Sequence, residues 1–410
     1  MSRREFIKGT LAAGATMGLA LSASTTSASD TAKKGKKYRA GIVGLGWMGF
    51  LYDLGKRDYD SIGGTFKDPK YDVDNPNRFT PEWLDVHRKF HFHDHPGREG
   101  VSNTYAEALW DRPEVELVAG AERDKKRLQM FGERYGVTAL YTDALEMYRQ
   151  EQLDIVAICT NVKGRSFLTV KAIESGAQGV FVEKPMTFTL GEADRMVQAC
   201  AAAGAPLVGG ATTVSHPSFA KARELVQSGV IGELRSIEAS VPVLSQHQDW
   251  CYFLDSPPVW VSGIGDKPRR ERGSTEFMGQ GIIVTEDETV VHIRDGAPPV
   301  HLSGSQGEIR FEHNQWRLWQ NLEDSLGRTG GVETPWPDPQ FSLPYRAVYC
   351  LDDLIACMER RMDEPKNSGR RVQVALEVEL AMKISSAQGG KRIDLPLQDR
   401  SLGLQYDWFR

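Results

Sequence analysis

Three glycines constrain this chain more than any other feature. Residues 41–50 read GIVGLGWMGF, an apolar run that passes without a break into Gly44-x-Gly46-x-x-Gly49. The first glycine permits a tight turn, the second leaves room for a pyrophosphate, and the third lets a helix pack on its strand. The free N–H groups and dipole of a helix N-terminus receive such an anion, and Trp47 and Met48 share that turn. The motif also asks for an acidic strand end about 20 residues on. There this chain has TFKDPKYDVDNPN, which no buried strand would carry. The acid comes later: Val115–Ala121 (VELVAGA) reads as a strand ending at Glu122, 73 positions past Gly49. A carboxylate there accepts the ribose hydroxyls of NAD and repels the 2′-phosphate of NADP. The adjacent Arg123 would instead receive that phosphate, so NAD is favoured and NADP stays open. The pattern is a Rossmann unit interrupted by an insertion at about residues 50–102.

Beyond the insertion the elements alternate. Helices are predicted at Asp124–Tyr135, Asp143–Glu151, Ser166–Ser175 and Leu190–Ala203, and strands at Arg39–Leu45, Leu153–Cys159, Gly179–Val182 and Pro206–Gly209. Near-continuous apolar strands between helices predict a doubly wound parallel sheet covered on both faces. After about residue 210 the rhythm changes. A helix at His216–Ser228 precedes strand-like runs at Leu234–Val243, Val259–Gly265, Thr275–Thr285, Thr289–Arg294, Glu308–Glu312 and Trp316–Gln320. Amphipathic helices at Tyr345–Arg361 and Val372–Gln388 follow. The fold class is therefore α/β: an N-terminal Rossmann sheet, then a C-terminal α+β domain with a large, mainly antiparallel open-faced sheet. The expected division is a signal over 1–31, a Rossmann domain over 38–188 and a substrate and oligomerisation domain over 189–410.

The N-terminus carries an address. SRREFIKG sets Arg3 and Arg4 before Phe6 and Lys8, the twin-arginine export pattern, and the apolar stretch Leu11–Leu21 is too short to span a bilayer. Partnership with the twin-arginine export machinery and a periplasmic or secreted location follow, with a membrane tether left open because no clean A-x-A precedes Asp30. The net charge of −5 supplies no basic field for nucleic acid. The five cysteines have no zinc spacing. Cys350 and Cys357 would sit roughly 10 Å apart on one helix, too far for a disulfide, so free thiols are expected. The insertion's HRKFHFHDHP places His87, His91, His93 and His95 close together. A polar loop rich in His, Asp and Pro is the commoner reading of such a run, and no metal is assigned. Covering the substrate pocket, or reaching a neighbouring subunit, suits an insertion tethered at the fingerprint helix.

GIVGLGWMG, ELVAGAERD, YGVTALYTDALEMY, DIVAICT and above all VFVEKPMTFTLGEADRMV resemble the glucose–fructose oxidoreductase / inositol dehydrogenase / MocA family. The likeness runs from about Tyr38 to Leu402. It implies that Lys184 of the Glu183-Lys184-Pro185 signature sits near the nicotinamide and a substrate hydroxyl, as general base, with Glu183 anchoring neighbouring backbone or cofactor. Pro185 keeps Lys184 extended, and burial beside a positively charged ring is expected to depress its pKa. Thr160 and Asn161 stand where the family commonly has a Thr-Pro-Asn type turn after the strand ending in Cys159, and are the expected cofactor-side residues of that turn. The family's second-domain Asp falls on Asp249, and its His on Gln246, or on His247 if one residue is deleted; Asp249 and His247 are the expected substrate-contacting groups.

Departures from the family are also visible. Arg165 stands about where a His is usual, and Thr212-Thr213-Val214-Ser215-His216-Pro217 replaces Asn-Arg-Arg-x-x-Pro, so two basic residues that often face substrate are gone. The leading expectation is an exported NAD(P)-dependent oxidoreductase. It would move a hydride at a secondary carbon of a sugar, polyol or derivative, with a tightly bound cofactor, as a homo-oligomer. The alternatives are an NAD-dependent glycosidase acting through transient C3 oxidation and elimination, and a non-catalytic cofactor-binding partner protein.

Overall fold

The computed structural model describes residues 37–46, 48–50, 104–209, 213–240, 249–267, 276–312, 315–338 and 347–404. Trp47, His247, the signal and the insertion's histidines lie outside them. The first half is built from Tyr38–Val43 (β1), Tyr105–Asp111 (α1), Val115–Ala121 (β2), Lys125–Tyr135 (α2), Ala139–Tyr141 (β3), Ala144–Gln150 (α3), Ile155–Ile158 (β4), Arg165–Glu174 (α4), Gly179–Val182 (β5), Leu190–Ala202 (α5) and Leu207–Val208 (β6). Six parallel strands order as β3-β2-β1-β4-β5-β6, with the switch point between β1 and β4. Every residue of β4 and β5 is buried, which explains their unbroken apolar runs. Helix starts follow side-chain chemistry: the carboxylate of Asp124 accepts from the N–H of Lys126 and Arg127, that of Asp143 from Leu145, and the Thr189 hydroxyl from Glu192. The parallel sheet extends past residue 188, since α5 and β6 complete it.

The insertion leaves from inside the glycine helix. Phe50 N–H donates to Gly46 O (2.9 Å), closing one helical turn. The chain returns at Thr104, whose hydroxyl caps α1 by accepting from Glu107 N–H (3.1 Å). The next free donors of α1 are filled by the earlier turn: Tyr105 N–H reaches Met48 O (2.9 Å) and Ala106 N–H reaches Gly49 O (3.0 Å). Gly46–Phe50 and α1 therefore stack in helical register, although residues 51–103 separate them in sequence. Buried Phe50 packs edge-on against Phe131 of α2, and Tyr105 stacks on Phe181 of β5. A chain with Phe50 joined directly to Thr104 is expected to fold and to unfold cooperatively at a temperature close to the parent's, because the helix-register bonds across the joint persist. Loss of cooperative thermal unfolding in that deletion would show that the helix needs the insertion.

The second half comprises Pro217–Gln227 (α6), Leu234–Ser240 (β7), Pro258–Ile264 (β8), Gln280–Thr285 (β9), Val290–Arg294 (β10), Val300–Gly304 (β11), Gly307–Glu312 (β12), Gln315–Glu323 (β13), Thr329–Thr334 (β14), Ala347–Met358 (α7), Gly369–Ala387 (α8) and Ile393–Asp394 (β15). Nine strands order as β14-β13-β12-β11-β7-β10-β9-β8-β15. Neighbours run antiparallel except β7 and β10, which pair in parallel across the connection that β8 and β9 occupy. One face is packed: a Cβ at Gly263 would stand 2.8 Å from Met382 O, so α8 can lie directly on β8. The other face alternates to charge, as at Glu308 with His301 and Arg310, both 2.8 Å away. α7 crosses back to pack on α1 and β5. The five thiols are free. Among the described residues no helix is long and apolar enough to cross a membrane, and no His/Cys/Asp/Glu group is arranged for a metal.

Candidate active site

The carboxyl ends of β1, β2, β4 and β5 meet at the switch point, where open α/β sheets bind ligands. Gly44 has φ +88°, and a Cβ there would lie 2.7 Å from Thr160 N, so the turn after β1 presses on the turn after β4. A Cβ on Gly49 would stand 2.2 Å from Gly44 O. Gly46 differs: a Cβ there meets nothing within 4 Å. The outer two glycines close the turn, and the middle one faces open space suited to a diphosphate. Glu122 lies beside this turn despite its distance in sequence. Its Oε2 accepts from Leu45 N–H (2.8 Å) and its Oε1 from Asp124 N–H (3.1 Å), with Arg127 3.5 Å away. Arg123 is exposed. These residues fit a dinucleotide: open space over Gly46 for a diphosphate, and a carboxylate beside it at the end of β2. Thr160 is half-buried, and the Asn161 side chain caps the short turn Val162–Gly164.

Lys184 is half-buried at the end of β5. Glu183 turns inward. Burial pushes its carboxyl up from the usual range, opposed by the Lys184 and Arg165 charges and by the Tyr105 hydroxyl bonded to it. Burial, with the Glu183 charge second, holds the Tyr105 phenol well above its usual value. Glu183 thus has a protein partner. Asp249 opens the short turn Asp249–Phe253, all of it buried. Phe253 and Phe219 pack with Trp316, whose indole N–H donates to Ser218 Oγ (2.9 Å), so an aromatic cluster fixes the turn. Burial alone pushes the Asp249 carboxyl up to about 7.

Arg165 and His216, both in segments that depart from the family pattern, have structural roles. Arg165, 3% exposed, does not face a substrate; its guanidinium donates to backbone carbonyls beside the signature. His216 is a capping residue: its Nδ1 accepts from Ser218 N–H (3.0 Å) at the start of α6. Burial, with the Lys366 charge second, lowers it to about 4, so it is neutral near pH 7. Sequence reasoning missed Tyr105 and the role of Arg165. The only signal was an arginine where the family has a histidine.

A glycine turn open at Gly46, a carboxylate at the end of β2 and a half-buried lysine at the end of β5, set around the switch point of a parallel sheet, are the arrangement of a nicotinamide-dependent Rossmann oxidoreductase. A model of the oxidoreductase family with an NAD-binding Rossmann fold matches residues 97–210, and a twin-arginine translocation signal model matches residues 1–20. The chain is 33% identical over 327 residues to D-apiose dehydrogenase of Paraburkholderia graminis, covering 70% of this chain and 85% of that one. Myo-inositol 2-dehydrogenase of Thermotoga maritima is 29% identical over 133 residues, 32% of this chain and 40% of its own. A solved oxidoreductase of Agrobacterium radiobacter, in complex with NAD+, L-tartaric acid and magnesium, shares the fold at TM-score 0.57 and 17% identity, covering 88% of this chain and 98% of that one. The chain belongs to the Gfo/Idh/MocA oxidoreductase family.

Proposed function

We propose that the protein is an exported, NAD-dependent dehydrogenase of a sugar, polyol or sugar derivative, working at a secondary alcohol or ketone carbon. The observation that carries this reading is the convergence of Gly46, Glu122 and Lys184 at one end of the parallel sheet. Likeness to a D-apiose dehydrogenase supports the sugar class. The diphosphate would lie over Gly46 and Met48, the ribose against Glu122, and the nicotinamide end near Thr160 and Lys184. Bound nicotinamide supplies a hydride acceptor or donor. The chain's part is proton handling: Lys184 Nζ takes the hydroxyl proton as the carbonyl forms and returns it in the reverse direction. Asp249, protonated below about pH 7, is the proposed second proton-holding group. NAD is preferred to NADP because the Glu122 carboxylate repels a 2′-phosphate. The working location is the periplasm, with the cofactor carried out in the folded chain and held through repeated turnover. The charged open face of the nine-stranded sheet is the proposed subunit contact.

Protein recovered from the periplasm is expected to release close to one equivalent of NAD(H) per chain on denaturation, and to change nicotinamide absorbance with a sugar or polyol. In Gly46→Ala the added methyl occupies the open space without touching protein, so thermal stability should persist while bound nucleotide is lost. Active protein without nucleotide would refute the reading.

A further inference from the structure

We propose that Arg165 is the positioning residue that sets Lys184 relative to the cofactor turn, an inference resting on the reading of Lys184 as the proton acceptor. Arg165 opens α4 and is buried, so its side chain meets protein rather than solvent. Its Nε and Nη2 both donate to Thr160 O, at 3.0 and 2.7 Å. Its Nη1 donates to Glu183 O and to Pro185 O, the carbonyls on either side of Lys184. Four of its five N–H groups are used in this way.

Each bond goes to backbone, and the carbonyls come from two different loops. Thr160 is the residue whose N–H group abuts Gly44. Contacts therefore run from Gly44 through Thr160 and Arg165 to the carbonyls of Glu183 and Pro185, the residues on either side of Lys184. A planar, rigid fork can hold three carbonyls in fixed directions; a lysine ammonium on a flexible stem cannot. Burying a guanidinium is costly unless its donors are filled and a countercharge is near. Here the carbonyls fill it, and Glu183 supplies the charge. Burial lowers the Arg165 pKa, and the Glu183 carboxylate opposes that shift. A histidine, usual near this position in the family, lacks the donors to brace both loops at once. Reactions that depend on alignment lose about 100-fold in rate for a displacement of about 1 Å, so a brace at this point acts on turnover more than on binding.

The test uses the holoenzyme with Arg165→Lys and Arg165→Gln. Both are expected to lower kcat about 100-fold, with KM and the NADH dissociation constant within about threefold of the parent. Hydrogen exchange should quicken at the amides of Lys184 and Met186–Phe188 and stay unchanged along β1, β4 and β5. Unchanged kcat, or loss of cofactor affinity and thermal stability together with kcat, would overturn the proposal in favour of no role or a purely structural one. A parent protein inert towards every sugar and polyol would sink the dehydrogenase reading instead. The exchange data then decide alone: local quickening supports the brace, and none or a global change overturns it.

Discussion

Lys184→Ala is expected to lower kcat about 1,000-fold while the protein still co-purifies with nicotinamide nucleotide. The proposed diphosphate and ribose sites, Gly46 and Glu122, lie on other strand ends, so removing the amine should leave most cofactor binding in place. Lys184 is only half-buried, so truncation leaves no sealed cavity and little stability is lost. A second consequence follows at Glu183: with the Lys184 charge gone, its carboxyl moves further up from the usual range, leaving Arg165 as the countercharge. Lys184→Arg separates two roles. Arginine keeps the charge but does not give up its proton at working pH. If the amine moves a proton, the arginine variant falls as far as the alanine variant. If Lys184→Arg retains more than about a tenth of parental kcat, charge rather than proton transfer explains the site. Steady-state kinetics with the sugar identified by absorbance change, and nucleotide content after denaturation, make the comparison.

The parts legible in the sequence share one physical property: burial on both faces or a local chemical signature. Gly179–Val182 and Val115–Ala121 are read to the residue because their apolar runs end at turns. Glu122 is legible because it ends such a strand, and the Leu45 N–H bond to it closes a span of 77 positions. The elements missed give little pattern to read. β14 is TGGVET, largely exposed, with two glycines, and exists through its pairing with β13. β3 and β15 have three and two residues. α1 escapes notice because it is one short piece of a helix divided by the insertion, and its first donors are filled by Met48 and Gly49 from the other side. The parallel pairing of β7 with β10 is a tertiary fact, since alternation alone does not say which strand lies alongside. Arg165 marks the same limit at the site. An arginine in sequence has no direction, and substrate-facing and backbone-bracing arginines look alike until the fold brings Thr160 and Pro185 together.

The pH dependence of stability is expected to change when Asp249 becomes Asn. In the folded chain burial lifts this carboxyl from 3.8 to about 7, and no charged partner among the described residues holds it down. The folded state therefore keeps a proton that the unfolded chain has released, and stability falls with pH across that interval. The contribution is present in full below about pH 4 and is lost as pH rises through about 7. Ionising near pH 7 rather than 3.8 costs the folded state on the order of 4 kcal/mol by pH 8.5. An asparagine cannot ionise, so Asp249→Asn should be more stable than the parent by several kcal/mol at pH 8.5, the gap closing to about 2 kcal/mol at pH 5. Urea unfolding at the two pH values measures it. A gap that does not widen with pH would mean that Asp249 ionises freely in the folded chain. Function is expected to move the opposite way. If the buried carboxyl holds a proton for the reaction, parental kcat/KM bends near pH 7, and the asparagine variant loses both the bend and most of its turnover. A more stable, poorly active variant would identify Asp249 as a group kept at a cost to the fold, on a turn that Phe253, Phe219 and Trp316 hold in place.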